Sequence, residues 1–164
     1  MCIRDRVLKN ARIVNVFTEE IIRGDIAIQD GIIAGIGSFH GKEERDLAGR
    51  YVCPGFIDSH LHLESTLVTP AELVTVASRH GTTTFIVDPH ESANVSGLAG
   101  IDYILDQTED VKANVYVMMP SCVPATAIDD NGCTLTAEDM APYLHNSRIL
   151  GCLLYTSDAA DEAR

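Results

Sequence analysis

The chain has 164 residues, with 12 Lys and Arg against 24 Asp and Glu, which gives a formal net charge of -12. A hydrophobic fraction of 46% is typical of a globular protein and argues against a disordered one. Nucleic-acid binding needs clustered basic residues, so the acidic balance predicts no nucleic acid partner. No apolar segment approaches the roughly 20 residues of a membrane helix, and residues 1–6 lack the apolar core of a signal peptide. We therefore expect a cytoplasmic protein with no membrane partner.

The first part of the chain, residues 7–53, has the pattern of β structure. Residues 7–14 are rich in β-branched side chains. Apolar segments also flank Asp30-Gly31, which strongly indicates a hairpin, because a type I′ turn needs a positive φ at both central positions. Residues 41–45 are polar and predict a break between strands. We interpret residues 7–53 as a piece of a small β-sandwich domain.

After residue 53, predicted strands alternate with predicted helices. Thr69-Pro70 indicates the start of a first helix, and Ser96 and Thr136 indicate two later starts. The predicted strands are residues 52–58, 82–87, 115–119 and 149–151, and the first two are expected to be buried. Such alternation with short links is typical of an α/β fold with a parallel sheet. A (β/α)₈ TIM-type barrel needs about 250 residues, so residues 54–151 would supply its first three to four βα units.

Both ends of the chain depart from these patterns. Residues 1–6 do not fit the strand that follows them, and residues 152–164 form a polar tail after an apolar strand. Both segments resemble translated sequencing-adapter sequence. We therefore predict that residues 1–6 and 152–164 are non-native, and we leave them out of the fold prediction.

The end of the first predicted barrel strand carries two histidines, His60 and His62. Residues i and i+2 of a strand point to the same face, so both imidazoles can approach one point. Neutral imidazoles bind zinc, iron or manganese, and catalytic residues of such barrels lie at the carboxyl ends of strands. We predict a metal site, with solvent-facing or hydrogen-bonded histidines as the alternative.

A second cluster, Asp88-Pro89-His90-Glu91, follows the second predicted barrel strand. Because the carboxyl ends of neighbouring parallel strands share one edge of the sheet, these side chains would lie near His60 and His62. Their ionisable groups suit a metal or catalytic site. The alternative is structural, with Asp88 or Glu91 capping the next helix.

The segment PGFIDSHLH, which ends at His62, resembles the first metal motif of the amidohydrolase superfamily. Three motifs in chain order narrow the resemblance: HLHLES from His60, DPHE from Asp88 and SCVPA from Ser121. With these motifs the chain is similar to the bacterial adenine deaminases, a family within that superfamily. The resemblance covers about residues 7–151.

The resemblance implies a hydrolase of purine salvage and adenine catabolism that converts adenine to hypoxanthine and ammonia. It implies a centre of two divalent metal ions, with Mn²⁺ or Fe²⁺ favoured and Zn²⁺ as the alternative, in which hydroxide forms from water at neutral pH. It leaves open whether the complete protein is a homo-oligomer.

Particular residues of this chain match the family's motifs. His60 and His62 correspond to metal ligands of the first strand, and His90 and Glu91 are further candidate ligands. Asp58 and Asp88 would support the ligands from outside by orienting a histidine. Glu64 would contact metal or substrate and is a candidate for proton transfer.

Several functional residues of the family are expected beyond residue 151. They are a carboxylate after the fourth strand, histidines from later strands and an Asp at the eighth strand. We therefore expect the chain to be the N-terminal part of a longer enzyme and to lack activity by itself.

Two other functions remain open from the sequence. One is an amidohydrolase acting on cyclic amides, dihydroorotase-like or deacetylase-like, in which a carboxylated lysine would replace the carboxylate after the fourth strand. The other is a non-catalytic metal-binding domain. The zinc deaminases of nucleic-acid bases use a PCxxC ligand pair, which this sequence lacks.

Overall fold

The structure, a computed structural model, describes residues 2–126 and 128–152. The chain divides into two compact units, Met1–Pro54 and Gly55–Arg164. Of the predicted non-native tail, residues 153–164 lie outside the described residues. None of the described helices combines the length and the apolar character that crossing a membrane requires.

The first unit contains one five-stranded sheet within its described residues. The strands are β1 (Cys2–Asn15), β2 (Glu20–Gln29), β3 (Ile32–Gly37), β4 (His40–Asp46) and β5 (Tyr51–Val52). Their order is β3-β2-β1-β4, and β5 also pairs with β1. Strand β1 is antiparallel to β2 but parallel to β4 and β5. A sandwich needs a second sheet, so the predicted sandwich domain stays a prediction.

The predicted hairpin joins β2 to β3. The two strands are antiparallel, with Gln29 opposite Ile32. Asp30 and Gly31 have φ values of 52° and 77°, the positive values that a two-residue type I′ turn needs. This prediction is confirmed.

Two boundaries in the first unit differ from the prediction. Strand β1 begins at Cys2 rather than at residue 7, and Arg6 pairs with Glu43 of β4. Residues 41–45, predicted as a break, lie within β4. Backbone hydrogen bonds to β1 hold β4 in place whatever its side chains, and a charged edge strand resists unwanted pairing. Residues 2–6 are therefore part of strand β1. That these residues are non-native stays a prediction.

A partly buried ion pair lies in the first unit. Asp25, only 7% exposed, accepts a hydrogen bond from Lys9 Nζ at 2.6 Å. It also accepts hydrogen bonds from the backbone N–H groups of Asn10 at 3.1 Å and Phe39 at 3.3 Å. The Lys9 ammonium and these N–H groups lower the pKa of Asp25 below its ordinary value, although burial opposes them.

The second unit contains a four-stranded parallel sheet, whose strands are β6 (Phe56–Leu61), β7 (Thr82–Val87), β8 (Asn114–Met119) and β9 (Ile149–Cys152). The strand order is β6-β7-β8-β9, so each strand adjoins the next along the chain. This order confirms the predicted α/β partial barrel. The helices are α1 (Pro70–Arg79), α2 (His90–Ser96), α3 (Leu98–Gln107) and α4 (Ala137–Met140), with 3₁₀ turns at Glu64–Thr66 and Ala141–His145.

The sequence pattern did not predict helix α2. Ser96, predicted to begin a helix, is the last residue of α2, and Gly97 separates α2 from α3. Thr69 and Thr136 do occupy the predicted N-terminal positions of α1 and α4. The missed helix matters because it begins at His90, within the second cluster of polar residues.

The core of the second unit lies between the sheet and its helices. Phe85 and Val87 of β7 pack with Ile101 and Ile104 of α3 and are almost fully buried. Strand β6 was predicted to be buried, yet Phe56 is 60% and Ile57 is 63% exposed. That prediction is wrong for the described residues, because β6 is the end strand of this sheet and has one neighbour, β7.

Candidate metal centre

The two predicted histidine ligands meet at the carboxyl end of β6. His60 lies within the strand, and His62 follows its last residue, Leu61. Their ring centroids are 5.1 Å apart. The i, i+2 spacing therefore brings both imidazoles to one edge of the sheet, as expected for neighbouring side chains on one face.

Asp88 joins these histidines from the next strand. It follows the last residue of β7, and its backbone N–H donates a hydrogen bond to the Leu61 carbonyl at 2.9 Å. The pairing of the two strand ends thus brings Asp88 beside the histidines. One side-chain ligand atom from each of His60, His62 and Asp88 lies within 4.8 Å of the other two.

The ring of His62 is held by the backbone of Asp88. His62 Nδ1 is 2.9 Å from the Asp88 carbonyl oxygen, which can only accept a hydrogen bond. This contact favours the tautomer in which Nδ1 carries the proton and Nε2 keeps its lone pair. A histidine held in this way can bind a metal through Nε2.

A pair of glutamates, Glu64 and Glu91, also lies beside His62. Glu91 Oε2 is 3.2 Å from His62 Nδ1, and Glu91 Oε1 accepts a hydrogen bond from Ser65 Oγ at 3.0 Å. Glu64 Oε1 accepts from the backbone N–H of Ser92 at 3.1 Å. His62, Glu64 and Glu91 form a second group whose ligand atoms lie within 4.8 Å of one another.

Burial shifts the pKa values of these carboxyl groups. It raises the pKa of Asp88 above its ordinary value, although the nearby imidazoles oppose this. Burial also raises the pKa of Glu64, and the neighbouring Glu91 carboxylate adds to that rise. Burial alone would raise the pKa of Glu91, but its contacts with Glu64 and Ser65 outweigh it, so the pKa of Glu91 lies below its ordinary value. The glutamates thus differ in proton affinity, with Glu64 the stronger base.

The other two predicted site residues lie close by but outside both three-residue groups. His90 has its ring centroid 6.2 Å from that of His62, and His90 Nδ1 is 3.9 Å from Asp88 Oδ2. Asp58 Oδ1 accepts a long hydrogen bond, 3.4 Å, from the backbone N–H of His60. The structure therefore gives Asp58 a contact with the backbone of a histidine rather than with its ring.

The donor set fits a divalent metal ion. Asp88 is 3% exposed, and its Oδ1 atom is buried with no hydrogen-bonding partner among the described residues. Leaving a carboxylate oxygen buried and unpaired is costly unless a cation or another donor meets it. Two imidazoles and a carboxylate suit zinc, iron or manganese.

A cavity of about 510 Å³ adjoins the glutamates and was missed in the sequence. Its lining includes Glu64 and Glu91 together with small residues and one aromatic ring of α2 and α3. The helical spacing of these small residues in the sequence could have indicated that they share one face, which lines the cavity. The residues concerned are Ser92, Ser96, Ala99, Gly100 and Tyr103.

Comparison with known proteins identifies the family. Residues 51–154, more than half of the chain, match the Amidohydrolase family. The chain belongs to the amidohydrolase family. A solved amidohydrolase fold, N-acyl-D-glutamate deacylase from Bordetella bronchiseptica complexed with zinc, aligns with a TM-score of 0.53 and 22% identity. The alignment covers 70% of this chain and 29% of that one, and at this identity it supports the fold alone.

Curated relatives within the family carry the name adenine deaminase. The protein from Desulfitobacterium hafniense is 61% identical over 145 residues, which is 88% of this chain and 26% of that protein. The protein from Geobacillus kaustophilus is 50% identical over 147 residues, 90% of this chain and 26% of that protein. This amidohydrolase chain therefore spans about a quarter of the length of the curated relatives it matches.

Proposed function

We propose that the complete protein is an adenine deaminase, which hydrolyses adenine to hypoxanthine and ammonia with the help of divalent metal ions. The observation that carries this proposal is the convergence of His60, His62 and Asp88 at the carboxyl edge of the sheet, with ligand atoms within 4.8 Å. The identity of 61% to an adenine deaminase supports the choice of substrate.

In this proposal His60 and His62 hold the metal. A bound divalent ion lowers the pKa of water so that hydroxide is available at neutral pH. The hydrogen bond between His62 Nδ1 and the Asp88 carbonyl, 2.9 Å long, fixes the ring so that its other nitrogen can be the ligand. Mn²⁺ or Fe²⁺ is favoured and Zn²⁺ is the alternative, in a two-metal centre whose further ligands come from later strands.

Glu64 is the proposed proton carrier. It lies beside His62 and Glu91, and its Oε1 atom accepts a hydrogen bond from the backbone N–H of Ser92 at 3.1 Å, which holds the carboxyl group close to the proposed metal site. It takes the proton that the attacking water loses and gives it to the departing amino nitrogen, so that adenine and water become hypoxanthine and ammonia. Glu91 stays charged beside it and accepts the hydrogen bond from Ser65.

The proposal also covers the partners and the cellular location of the complete protein. The substrate is a small molecule, and nucleic acid and membrane are not partners. We place the complete protein in the cytoplasm and leave its oligomeric state open. The 164-residue chain by itself is expected to be inactive, because the further ligands belong to later strands.

The proposal is tested with a chimeric enzyme, in which residues 7–151 of this chain replace the matching segment of the D. hafniense adenine deaminase. Metal-loaded chimera is assayed with adenine, dihydroorotate and an N-acyl amino acid. We expect hypoxanthine and ammonia in equal amounts from adenine and no turnover of the other two. A folded, metal-loaded chimera that leaves adenine unchanged would contradict the proposal.

A second test separates adenine deaminases from other amidohydrolases. The source DNA is sequenced across codon 151 and onward. We expect the frame to continue with barrel sequence and a carboxylate after the fourth strand. A lysine at that position would instead favour the hydrolases of cyclic amides.

A further inference from the structure

We propose that Asp88 binds the metal directly, together with His60 and His62, so that this quarter of the protein carries a three-ligand metal site of its own. The inference rests on the proposed function in one respect, the presence of a divalent metal at this edge of the sheet. It differs from the sequence-based expectation, in which Asp88 supports a ligand from outside.

Asp88 has a buried carboxylate oxygen that no donor meets among the described residues. Asp88 is 97% buried by side-chain area, since its side chain is only 3% exposed. Its Oδ1 atom has no hydrogen-bonding partner among the described residues. A supporting carboxylate would instead accept a hydrogen bond from the ring N–H of a histidine. The distance from Asp88 Oδ2 to His90 Nδ1 is 3.9 Å, which is too long for a hydrogen bond.

Short backbone contacts hold Asp88 and His62 in place. The backbone N–H of Asp88 donates a hydrogen bond of 2.9 Å to the carbonyl of Leu61, the residue between His60 and His62. The carbonyl of Asp88 meets His62 Nδ1 at 2.9 Å. Asp88 therefore fixes the strand end and the tautomer of His62 with its backbone, which leaves its carboxylate as a third ligand beside the two rings.

The arrangement has a consequence for metal loading. Three protein ligands and an open position are what catalytic zinc sites use. All three ligands here come from the ends of β6 and β7, which pair directly. A metal ion can therefore bind to this segment before ligands from later strands complete the centre.

The test replaces Asp88 with a residue whose bond to metal is visible. Asp88→Cys is made in the chimeric enzyme and in the 164-residue chain, and each is titrated with Co²⁺. A thiolate bound to Co²⁺ gives a strong near-ultraviolet charge-transfer absorption. We expect this absorption in Asp88→Cys but not in the control Asp106→Cys, which places a thiol on the exposed face of α3.

A second variant covers the case in which the cysteine disturbs folding. Asp88→Asn keeps the shape and a hydrogen-bond acceptor but loses the charge. We expect its Kd for Co²⁺ to rise at least about tenfold, with altered visible absorption of the bound ion. Asp106→Asn should bind Co²⁺ as the parent does.

The outcomes separate the two proposals. Co²⁺ bound to Asp88→Cys without the charge-transfer band, or bound to Asp88→Asn with the parent's Kd and spectrum, overturns the direct role of Asp88 alone. A chimera that binds no Co²⁺ and deaminates no adenine overturns the proposed function as well. If the 164-residue chain does not fold, the chimera decides both questions.

Discussion

Each of the two units buries an aspartate, and the two carboxylates have opposite surroundings. Asp25 in the first unit is 7% exposed and is met by the Lys9 ammonium and two backbone N–H groups. Asp88 in the second unit is 3% exposed and has an oxygen with no hydrogen-bonding partner among the described residues. Accordingly, the pKa of Asp25 is lowered and that of Asp88 is raised.

The contrast separates a carboxylate that stabilises the fold, Asp25, from one that we propose serves a metal site, Asp88. Hydrogen bonds and a nearby positive charge stabilise the ionised form of a buried carboxylate, and through it the folded state. An unpaired one lowers stability, and proteins keep such groups where binding or chemistry needs them. Burial alone therefore does not distinguish the two roles. The hydrogen-bonding partners of the carboxylate oxygens do.

The largest expected effect comes from removing the histidines beside Asp88. The variant His60→Ala/His62→Ala of the chimeric enzyme should lose metal and at least about a thousandfold in kcat, since metal stabilisation of the transition state amounts to several kcal/mol. Bound metal is measured by elemental analysis and hypoxanthine by absorbance. The control His40→Ala, on β4 in the first unit, should keep both.

Neutralising the two aspartates should change stability in different directions. In metal-free chimera, Asp25→Asn should lower the first unfolding temperature by about 3 °C, because Lys9 loses its charged partner. Asp88→Asn should leave that temperature unchanged or raise it, because it removes an unpaired buried charge. Thermal unfolding with excess chelator measures both. Equal decreases in unfolding temperature for the two variants would contradict the proposed difference between Asp25 and Asp88.

The pH dependence should sharpen the same comparison. Because the pKa of Asp25 is lowered in the folded state, its stabilisation is present above the ordinary value of 3.8 and is lost as pH falls through the lower folded value. The gap in unfolding temperature between parent and Asp25→Asn should therefore be constant between roughly pH 5 and pH 8 and shrink below pH 3.8. A gap that grows in acid would contradict the assignment.

The smallest effect should come from the hydrogen bond to Glu91. Ser65→Ala removes the donor at 3.0 Å and should lower kcat for adenine about threefold, as expected for one hydrogen bond. Metal content should stay unchanged. The control Ser147→Ala, at an exposed position, should keep the parent's kcat.

The sequence predicted features that depend on local chemistry. Asp30-Gly31 predicted a hairpin because few residues adopt positive φ, and the turn has that geometry. His60 and His62 were predicted to converge because a strand repeats every two residues, and their rings lie 5.1 Å apart. The order of four parallel strands followed from their alternation with helices.

The features that the sequence did not reveal depend on tertiary contacts. Strand β4 carries polar side chains, and only its pairing with β1 makes it a strand. Helix α2 is seven residues long and ends beside Gly97, so its pattern is too short to separate from α3. The sequence predicted that Asp88 lies near His62, but not that the Asp88 carbonyl contacts His62 Nδ1, because that contact depends on the backbone geometry of two strand ends.

A metal titration tests the central claim most directly. Chimeric enzyme stripped of metal by chelation is titrated with Mn²⁺, while bound metal and hypoxanthine formation are measured on the same samples. We predict that activity rises in proportion to bound metal and saturates with it, and that the variant His60→Ala/His62→Ala shows neither. Full adenine deamination by the metal-free chimera, or by that variant, would contradict the claim that these histidines hold the catalytic metal.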